Sequence, residues 1–560
     1  MFIQEVKSKM NKIFGIDLGT TYSCISYVDE YGRPVVVPNA ENERITPSVV
    51  FFDGDNVIVG DVAKENSKMY PEDVALFVKR SMGDENFYFE HEGKAYHPEE
   101  ISSFILRKLV GDAENILGEK IEDVVITCPA YFGINEREAT RLSGEIAGLN
   151  VRGILNEPTA AALSYGMDSE ENKVVLVYDL GGGTFDITMI DISKDSIKVI
   201  CTGGDHNLGG KDWDDALIAY MASKYKEITG KEEDILEDKE TCQELQLLAE
   251  KVKKTLSQRE KAPISINYEG ERAKIEITRE KFDELTYDLL QRTINLTDEM
   301  LEEAKKKNYT SFDEILLVGG SSRMPQVEKI IKEKYGVEPK IFDPDEAVSK
   351  GAALYGWKLS VNDELINRIS METGQTPENV KQNIDENKIE ENIVEKAAKK
   401  VADDTGYTLS AVKASNVRVV NVVSKSFGVV TYNNEGNEVI YNLILKNSEV
   451  PAEFTERFGT HDENQENVLI RVVEDELNDR VIEIDYGKEI GEAELTLPES
   501  LPANSPIDIT FKLNEEGRLE ITGIEAVEKR EVKTTIDTSS VIKGKELEEA
   551  KERNKNIEVS

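Results

Sequence analysis

The sequence predicts a mixed α/β region of two duplicated lobes, followed by a helical insertion and an all-β sandwich. A strand–turn–strand pattern with an Asp-Leu-Gly tip occurs at residues 13–28 and again at residues 174–190. From residue 416 onward, short segments of alternating polar and apolar residues replace it, which is typical of antiparallel sheets. We therefore expect five segments: an N-terminal extension without assigned function (1–11), the two-lobed region (12–360), the insertion (361–415), the sandwich (416–535) and a short C-terminal helix (536–560).

Length and charge narrow the class of protein. At 560 residues the chain is long enough for several cores, and its formal net charge of −41 repels nucleic acid backbones and anionic membranes. The four cysteines are too scattered for a zinc site or a disulfide framework. No stretch approaches the roughly 20 apolar residues that span a bilayer. We expect a soluble cytoplasmic protein that binds neither nucleic acid nor membrane.

The two hairpin tips have the composition of phosphate-binding loops. Glycine lets backbone amides turn toward an anion, and threonine hydroxyls add hydrogen-bond donors. The adjacent aspartates can hold the water shell of Mg²⁺ and orient an attacking water, as phosphoryl transfer requires. One glycine-rich hairpin alone is more often a simple tight turn, but two matched copies favour a phosphate site. The tip residues are Gly19, Thr20, Thr21, Tyr22, Gly181, Gly182, Gly183 and Thr184, and the aspartates are Asp17, Asp179 and Asp186.

Two further glycine pairs follow predicted strands. Gly319 and Gly320 lie between a hydrophobic strand and a predicted helix, where the phosphate or sugar edge of a nucleotide commonly binds. Gly209 and Gly210 end another such glycine-rich turn. Together with the hairpin tips, these turns predict one nucleotide cleft.

Three more motifs occur in order along the chain: VITCPAYF at residues 125–132, NEPTAAA at 156–162 and DPDEAV at 343–348. With the glycine loops, they resemble the seventy-kilodalton heat-shock (DnaK-type) chaperone family, in particular its short HscC-like bacterial members. The resemblance covers about residues 12–358 as an actin-like ATPase and, less tightly, 416–530 as a peptide-binding domain. It implies an ATP-hydrolysing chaperone that uses ATP or ADP, Mg²⁺ and K⁺ and binds unfolded polypeptide.

The resemblance also implies roles for individual residues. Lys79 would contact the γ-phosphate and its attacking water, although its pattern alone fits a solvated helix lysine. Glu157 would position that water together with Asp186 and Thr184. The three aspartates would surround Mg²⁺ and K⁺ through water, and the hairpin tips would hold the phosphates. The implied catalytic residues are Lys79, Glu157, Asp179, Thr184 and Asp186.

On the adenosine side, Glu250, Lys253 and Ser257 are spaced so that one face of a helix could present all three. Alone, this is the pattern of an ordinary amphipathic helix. The resemblance places the three residues beside the base and ribose. The nucleotide contacts it implies on the remaining sides are Gly209, Gly210, Gly319, Gly320, Ser321, Arg323 and Asp345.

The C-terminal half contains strand-like segments at residues 417–423, 439–445, 468–473 and 507–511, which predict an antiparallel sandwich. The resemblance implies a slot there for an extended apolar peptide, with Tyr432 and His461 arching over it. By alternation, Val468 and Ile470 share one face, so ordinary core positions fit them about equally well. The implied slot residues are Val429, Thr431, Tyr432, Phe458, His461, Val468 and Ile470.

Residues 361–415 stand where the family has a short apolar linker. They are charged and helix-like, and they repeat a Thr-Gly-x-Thr pattern that begins at Thr373 and again at Thr405. A solvated spacer is the favoured interpretation, and an added docking module is the alternative.

Other departures from the family concern partners. Asn421 replaces a family aspartate and Gly153 a family arginine, both on the surface that receives J-domain co-chaperones, so we expect an unusual co-chaperone or none. Lys211 replaces an acidic residue and changes the expected contacts with phosphate or with a nucleotide exchange factor. The C-terminal helix is too short to form the family's full lid, which predicts fast peptide exchange.

Two other functions are compatible with an actin-like region. A sugar or acetate kinase would need an acceptor site and no sandwich, so the sandwich argues against it. A nucleotide-sensing scaffold or filament protein with slow ATP hydrolysis stays the alternative to a chaperone.

Overall fold

The computed structural model describes residues 11–166, 172–193, 196–385, 388–415, 418–433, 435–514, 517–535 and 541–560. Nearly all of the predicted N-terminal extension lies outside these residues, as does the start of the predicted C-terminal helix. Within them the chain is a mixed α/β protein. None of the helices there combines the length and the apolar character needed to cross a membrane.

The first α/β unit comprises residues 11–166. Its strands are β1 (Ile13–Asp17), β2 (Tyr22–Val28), β3 (Pro34–Val37), β4 (Thr46–Pro47), β5 (Val50–Asp53), β6 (Asn56–Val59), β7 (Val74–Ala75), β8 (Phe89–His91), β9 (Lys94–Tyr96), β10 (Asp123–Cys128) and β11 (Asn150–Asn156). Its helices are α1 (Asp61–Asn66), α2 (Pro98–Leu117), α3 (Ile134–Ile146) and α4 (Glu157–Gly166). The central sheet has the order β11-β10-β1-β2-β3. Strand β10 is buried along its whole length, as expected for a sheet covered on both faces.

The second α/β unit comprises residues 172–346. Its strands are β12 (Lys173–Leu180), β13 (Phe185–Ile192), β14 (Ser196–Asp205), β15 (Lys261–Tyr268), β16 (Glu271–Thr278), β17 (Glu314–Val318) and β18 (Lys340–Ile341). Its helices are α5 (Gly210–Thr229), α6 (Lys239–Gln258), α7 (Arg279–Leu285), α8 (Tyr287–Lys306) and α9 (Pro325–Tyr335). Strands β1 and β12 each pair in parallel with one neighbour and antiparallel with the next strand in the chain. The two hairpins therefore occupy matching places in their sheets.

A long helix joins the two units. The helices after residue 346 are α10 (Ala347–Thr373), α11 (Pro377–Asp385), α12 (Glu391–Thr405) and α13 (Leu409–Ala414). Helix α10 packs against α4 and β1, and its apolar residues share one core with strands of both units. Gly351 permits this close packing, because a Cβ at that position would lie 1.7 Å from the carbonyl oxygen of Ala160.

The described helices of the 361–415 segment are packed, which corrects the favoured interpretation of a solvated spacer. Helices α10 to α13 bury Val380, Val401 and Val412 in one cluster with Trp357. Helix α10 runs through residue 360, so the expected boundary at that point falls inside a helix. The Thr-Gly repeat coincides with two helix ends, because Gly374 and Gly406 follow α10 and α12 with φ of 68° and 88°.

The C-terminal half consists of two antiparallel sheets and two strands, β19 (Arg418–Val422) and β22 (Glu449–Val450), that lie outside them. Its strands are β19 (Arg418–Val422), β20 (Ser426–Tyr432), β21 (Glu438–Ile444), β22 (Glu449–Val450), β23 (Ala452–Gly459), β24 (Asn467–Asp475), β25 (Val481–Glu483), β26 (Lys488–Thr496), β27 (Pro506–Leu513), β28 (Leu519–Glu525) and β29 (Glu531–Thr535). Two sheets, β25-β21-β20-β24-β26 and β23-β27-β28-β29, share one core. We call them the β unit.

Strand β19 lies in a different sheet from the one its sequence suggested. Residues 417–423 read as part of the sandwich, but β19 pairs in parallel with β14 of the second α/β unit, and β22 pairs with β19. Val420 and Val422 are buried there. The edge of the β12–β14 sheet offers unpaired backbone groups, and β19 satisfies them.

The last described segment returns to the first α/β unit. Helix α14 (Gly544–Asn556) packs on α2 and α3, and strand β30 (Glu558–Val559) pairs with β6. The small sheet formed in this way has the order β30-β6-β5-β7.

Candidate functional site

The two hairpin tips face each other across the gap between the α/β units. A Cβ added to Gly182 would lie 2.3 Å from the hydroxyl oxygen of Thr21, and one added to Gly183 would lie 2.4 Å from the side chain of Thr20. Only glycine fits this approach. The structure thus brings the two tips predicted from the sequence into direct contact, with Thr21 against Gly182 and Thr20 against Gly183.

The second tip is held in place by hydrogen bonds from the turn at Gly209 and Gly210. The amide of Gly210 donates to the carbonyl oxygen of Gly181 at 2.9 Å, and the amide of Lys211 donates to that of Gly182 at 2.8 Å. The Lys211 side chain pairs with Asp215 at 2.5 Å, one turn along its own helix. The unusual lysine therefore contributes its backbone to the loop.

Arg80 is a residue at this tip that sequence reasoning missed. Its Nε donates to the carbonyl oxygen of Gly183 at 2.9 Å, and its guanidinium pairs with Asp212 at 2.5 Å. Arg80 belongs to the first unit and both partners to the second, so it links the two units at the second hairpin tip. Its position directly after Lys79 was the available signal.

Lys79 and Glu157 form a buried ion pair beside the tips. The Lys79 Nζ lies 2.5 Å from Glu157 Oε1, and both side chains are about nine-tenths buried or more. Burial disfavours the ammonium, but the carboxylates of Glu157 and Asp17 outweigh it and raise the pKa of Lys79. The pattern of a solvated lysine is thereby excluded, and a fixed positive charge stands at this end of the gap.

The three predicted aspartates lie around this pair, with Asp179 and Asp186 buried and Asp17 half-buried. Burial and the Glu157 carboxylate raise the pKa of Asp17 to about 7 and that of Asp186 to about 7. The same two causes raise the pKa of Asp179, and the neighbouring Asp186 raises it further. Asp186 accepts a hydrogen bond from the Tyr131 amide at 3.1 Å.

This carboxylate group carries more negative charge than Lys79 can balance. Such a site gains from a further cation, which would restore the ionised forms. Among the described residues, no His, Cys, Asp and Glu side chains cluster closely enough to hold a metal ion by themselves. Carboxylate oxygens are donors of the kind that Mg²⁺ prefers, and Mg²⁺ usually keeps part of its water shell.

The predicted adenosine-side residues lie on α6 as expected. Each of them contacts a different part of the protein. Lys253 Nζ pairs with Asp214 at 2.6 Å and donates to the carbonyl oxygen of Gly210 at 2.8 Å. Ser257 donates to the carbonyl oxygen of Lys253 at 3.0 Å, within its own helix. A Cβ on Gly210 would lie 2.2 Å from the hydroxyl of Ser321, so Lys253 and Ser321 both adjoin this turn.

The turn after β17 closes the same region. Gly319 has a φ of 78°, and a Cβ there would lie 2.5 Å from Asp179 Oδ1. A Cβ on Gly320 would lie 3.5 Å from Asp345, which forms an ion pair with Arg323. The structure therefore places the third glycine turn directly beside the buried aspartates.

A second link between the units consists of Tyr22, Lys64, Glu250 and Lys254. Sequence reasoning named Tyr22 and Glu250 as nucleotide contacts but missed Lys64 and Lys254. We call these four residues the bridge cluster. Lys64 of the first unit pairs with Glu250 of the second at 2.5 Å, and Lys254 pairs with it at 2.7 Å. Both ammonium groups lie 4.9 Å from the centre of the Tyr22 ring. Burial alone would raise the pKa of Glu250, but the two lysines lower it to about 2.

The sequence also matches a known protein family. The family model described as Hsp70 protein matches residues 13–88, 84–372 and 405–559. The chain belongs to the Hsp70 family. Members of the Hsp70 family are ATPases that bind ATP or ADP with Mg²⁺ and act as chaperones on unfolded polypeptides, and membership implies an ATP-dependent chaperone function here. Residues 373–404 fall outside the match, and they include α11 and most of α12.

The Hsp70 chain brings only some of the predicted slot residues to its surface. Val429 and Ile470 are each 2% exposed and belong to the core of the β unit. Tyr432 is exposed, and its ring centre lies 5.1 Å from that of His461. The remaining predicted slot residues, all half-buried, are Thr431, Phe458 and Val468.

The segment between the Hsp70 α/β units and the β unit, together with Lys446 after β21, contacts the loop whose Tyr131 amide donates to Asp186. Ser424 donates to the carbonyl oxygen of Phe132 at 3.4 Å, and Lys446 lies 5.3 Å from the centre of the Tyr131 ring. Asn421 accepts a hydrogen bond from Thr159 at 2.9 Å, on the helix that begins with Glu157. The β unit and the buried carboxylates are therefore connected through neighbouring residues.

Proposed function

We propose that this chain hydrolyses ATP between the two α/β units and uses the cycle to bind and release apolar segments of unfolded proteins through its β unit. The observation that carries the proposal is the buried Lys79–Glu157 pair, set among three carboxylates and between two glycine-threonine tips. A structural role alone gives no reason to bury so much charge, since each ionised group costs free energy when it leaves water.

In this proposal the residues divide into phosphate, cation and water positions. The tip amides and the hydroxyls of Thr20, Thr21 and Thr184 would hold the β- and γ-phosphates. Asp17, Asp179 and Asp186 would hold Mg²⁺, and K⁺ beside it, largely through water. The Mg²⁺ ion would neutralise charge on the phosphates when bound.

Lys79 and Glu157 would act at the reacting end. Lys79 would place a positive charge against the γ-phosphate oxygens as negative charge moves onto the leaving ADP. Glu157, with Asp186 and Thr184, would orient the attacking water. Hydrolysis then yields ADP and phosphate, and the α6 residues and the turn after β17 would keep the adenosine in place.

The β unit supports the peptide-binding half of the proposal. Tyr432 and His461 form an exposed aromatic pair in the unit that also contains the half-buried Phe458 and Val468, which suits an extended apolar peptide. We further propose that β19 and the Asp186 loop couple the two activities, because the linking segment contacts the residues next to the carboxylates. Helix α14 packs on the first α/β unit, which supports fast peptide exchange.

Partners follow from the same surface. Asn421 contacts Thr159 instead of offering a charge, and Gly153 leaves a gap beside Tyr355, where an added Cβ would lie 3.6 Å from the ring. We propose an unusual J-domain co-chaperone, or none, together with a nucleotide exchange factor, in the cytoplasm.

ATP turnover with and without an unfolded polypeptide tests the proposal. The parent should hydrolyse ATP, faster when the polypeptide is added, and Lys79→Ala should lose at least about 100-fold in turnover. Lys381→Ala, a substitution at an exposed position of α11, serves as the matched control and should keep parental turnover.

Two results would contradict the chaperone proposal. Turnover in the parent that does not respond to unfolded polypeptide would remove its peptide half, and filament formation on ATP would favour the scaffold alternative. Parental turnover in a folded Lys79→Ala variant would remove the role assigned to the buried pair.

A further inference from the structure

The C-terminal segment is attached to the first α/β unit by specific contacts. The amide of Ile542 donates to Glu99 at 3.1 Å, Arg553 pairs with Glu100 at 2.5 Å, and Asn554 donates to Ser103 at 2.5 Å. Ile542 is 4% exposed and packs with Ile146 of α3. The segment therefore forms part of the surface of this unit.

Its last residues add a strand to the small sheet. Glu558 pairs with Asn56 and Val559 with Val57. The amide of Ser560 donates to the carbonyl oxygen of Val57 at 3.0 Å, and the Val59 amide donates to that of Ser560 at 2.9 Å. The edge of β6 is thereby paired along its length.

Arg107 secures the approach to this strand. Its guanidinium donates to the carbonyl oxygens of Asn554 and Ile557, the latter at 3.0 Å. Arg107 lies on α2, so the core helix of the unit holds the end of α14 and directs the chain toward β6. The strand pairing is thus supported at both of its ends.

Strand β6 leads directly into the bridge cluster. Gly60 follows β6 with a φ of 99° and caps α1, where its carbonyl oxygen accepts a hydrogen bond from the Lys64 amide at 3.0 Å. The Gly60 amide in turn donates to Val49 at 3.1 Å. The end of β6 therefore fixes the start of a short helix whose lysine reaches Glu250 of the second unit.

We propose that β30 is a positioning strand for the bridge cluster. Paired with β6, it holds α1 so that Lys64 meets Glu250, and it keeps the two α/β units closed over bound nucleotide. When β30 leaves β6, the bridge loosens and nucleotide dissociates faster. The proposal rests on the nucleotide cleft of the proposed function, and it adds a control of nucleotide release by the C-terminal strand.

The test compares Ser560→Pro with Ser560→Ala in the full chain. Proline removes the amide that donates to Val57, whereas alanine keeps it. Two quantities are measured: the dissociation rate of a fluorescent ADP analogue, and hydrogen exchange of the amides in residues 56–59. Ser560→Pro should release the analogue about two- to tenfold faster and expose the Val59 amide, and Ser560→Ala should match the parent.

A second arm tests the route through Lys64. In a Lys64→Ala background the bridge is already broken, so Ser560→Pro should add little further acceleration. An equal acceleration in both backgrounds would overturn the proposal, as would an unchanged release rate or unchanged exchange at Val59 in Ser560→Pro. A parent that binds no ADP analogue would instead defeat the proposed function, so the two failures are distinguishable.

Discussion

The proposed nucleotide cleft and the predicted peptide slot differ in which of their residues are buried. The cleft buries charge: Lys79, Glu157, Asp179 and Asp186 are all buried there, with the half-buried Asp17 beside them. Of the predicted slot residues, the two that are buried, Val429 and Ile470, are apolar and belong to the core of the β unit.

This difference explains why the sequence alone identifies the residues of the cleft better than those of the slot. Buried charges are costly and therefore rare outside functional sites, so a motif that carries them is informative. Buried valine and isoleucine are the ordinary material of any core, and their pattern in a strand does not separate a slot from a packed interior. In the β unit, only the exposed aromatic pair distinguishes a surface from a core.

Among the substitutions that test this comparison, Ile470→Ala is expected to change the free energy of unfolding most. If Ile470 is a core residue, the substitution leaves a cavity and lowers the free energy of unfolding of the β unit by about 2–5 kcal/mol. Leu469→Ala is the matched control: its side chain is 50% exposed on the same strand, and its loss should cost less than about 0.5 kcal/mol.

Urea unfolding, followed by hydrogen exchange in β20 and β24, would measure this change for the β unit alone. A small loss of stability in Ile470→Ala, combined with weaker peptide binding, would show that this residue lines the peptide slot. It would then contradict the assignment of Ile470 to the core.

An intermediate effect is expected from Glu250→Gln in the bridge cluster. Folding lowers the pKa of this carboxyl from its ordinary value of 4.5 to about 2, so its ionised form stabilises the fold by on the order of 1–3 kcal/mol. That contribution is complete above pH 4.5 and disappears as the pH falls toward 2. Thermal and urea unfolding of parent and variant should therefore differ by a constant amount from about pH 8 to pH 5, and by less below.

Glu244→Gln on the same helix provides the control, because Glu244 is exposed. It should leave stability within about 0.5 kcal/mol of the parent. A gap between parent and Glu250→Gln that grows on acidification would contradict the assigned sign.

The smallest effect on stability is expected from Tyr432→Ala. Its exposed side chain contributes little to the core, so the free energy of unfolding should change by less than about 0.5 kcal/mol. If the ring covers bound peptide, the affinity for a fluorescent apolar peptide should fall several-fold. Tyr486→Ala, at another exposed tyrosine of the β unit, should leave that affinity intact, and equal losses in both variants would argue against the arch.

The sequence predicted the elements whose residues have special chemistry. Both hairpins follow from their glycine and threonine tips, and the helix that carries Glu250 and Lys253 follows from its spacing. Their neighbours in space could not be predicted in the same way. Lys64 occupies a short helix of ordinary composition, and only the fold brings it to Glu250.

The structure of the connecting segments was still harder to predict from the sequence. The charged sequence of 361–415 suggested a spacer, because its buried positions are mostly alanine and valine among many charges. Residues 418–422 alternate like any sandwich strand, and nothing in them specifies the sheet with β14. The three residues that end in Ser560 carry no strand signal, since pairing with β6 depends on where α14 delivers them.

The packing of the extra helices has a spectroscopic consequence. The chain has two tryptophans: Trp213 is fully buried in the second α/β unit, and Trp357 lies under the helical module with its ring centre 5.5 Å from that of Tyr407. Replacing Trp213 with phenylalanine would leave Trp357 as the only indole. Its emission would then report solvent entry between Trp357 and helices α11 to α13, which gives the protein a built-in fluorescent sensor of that contact.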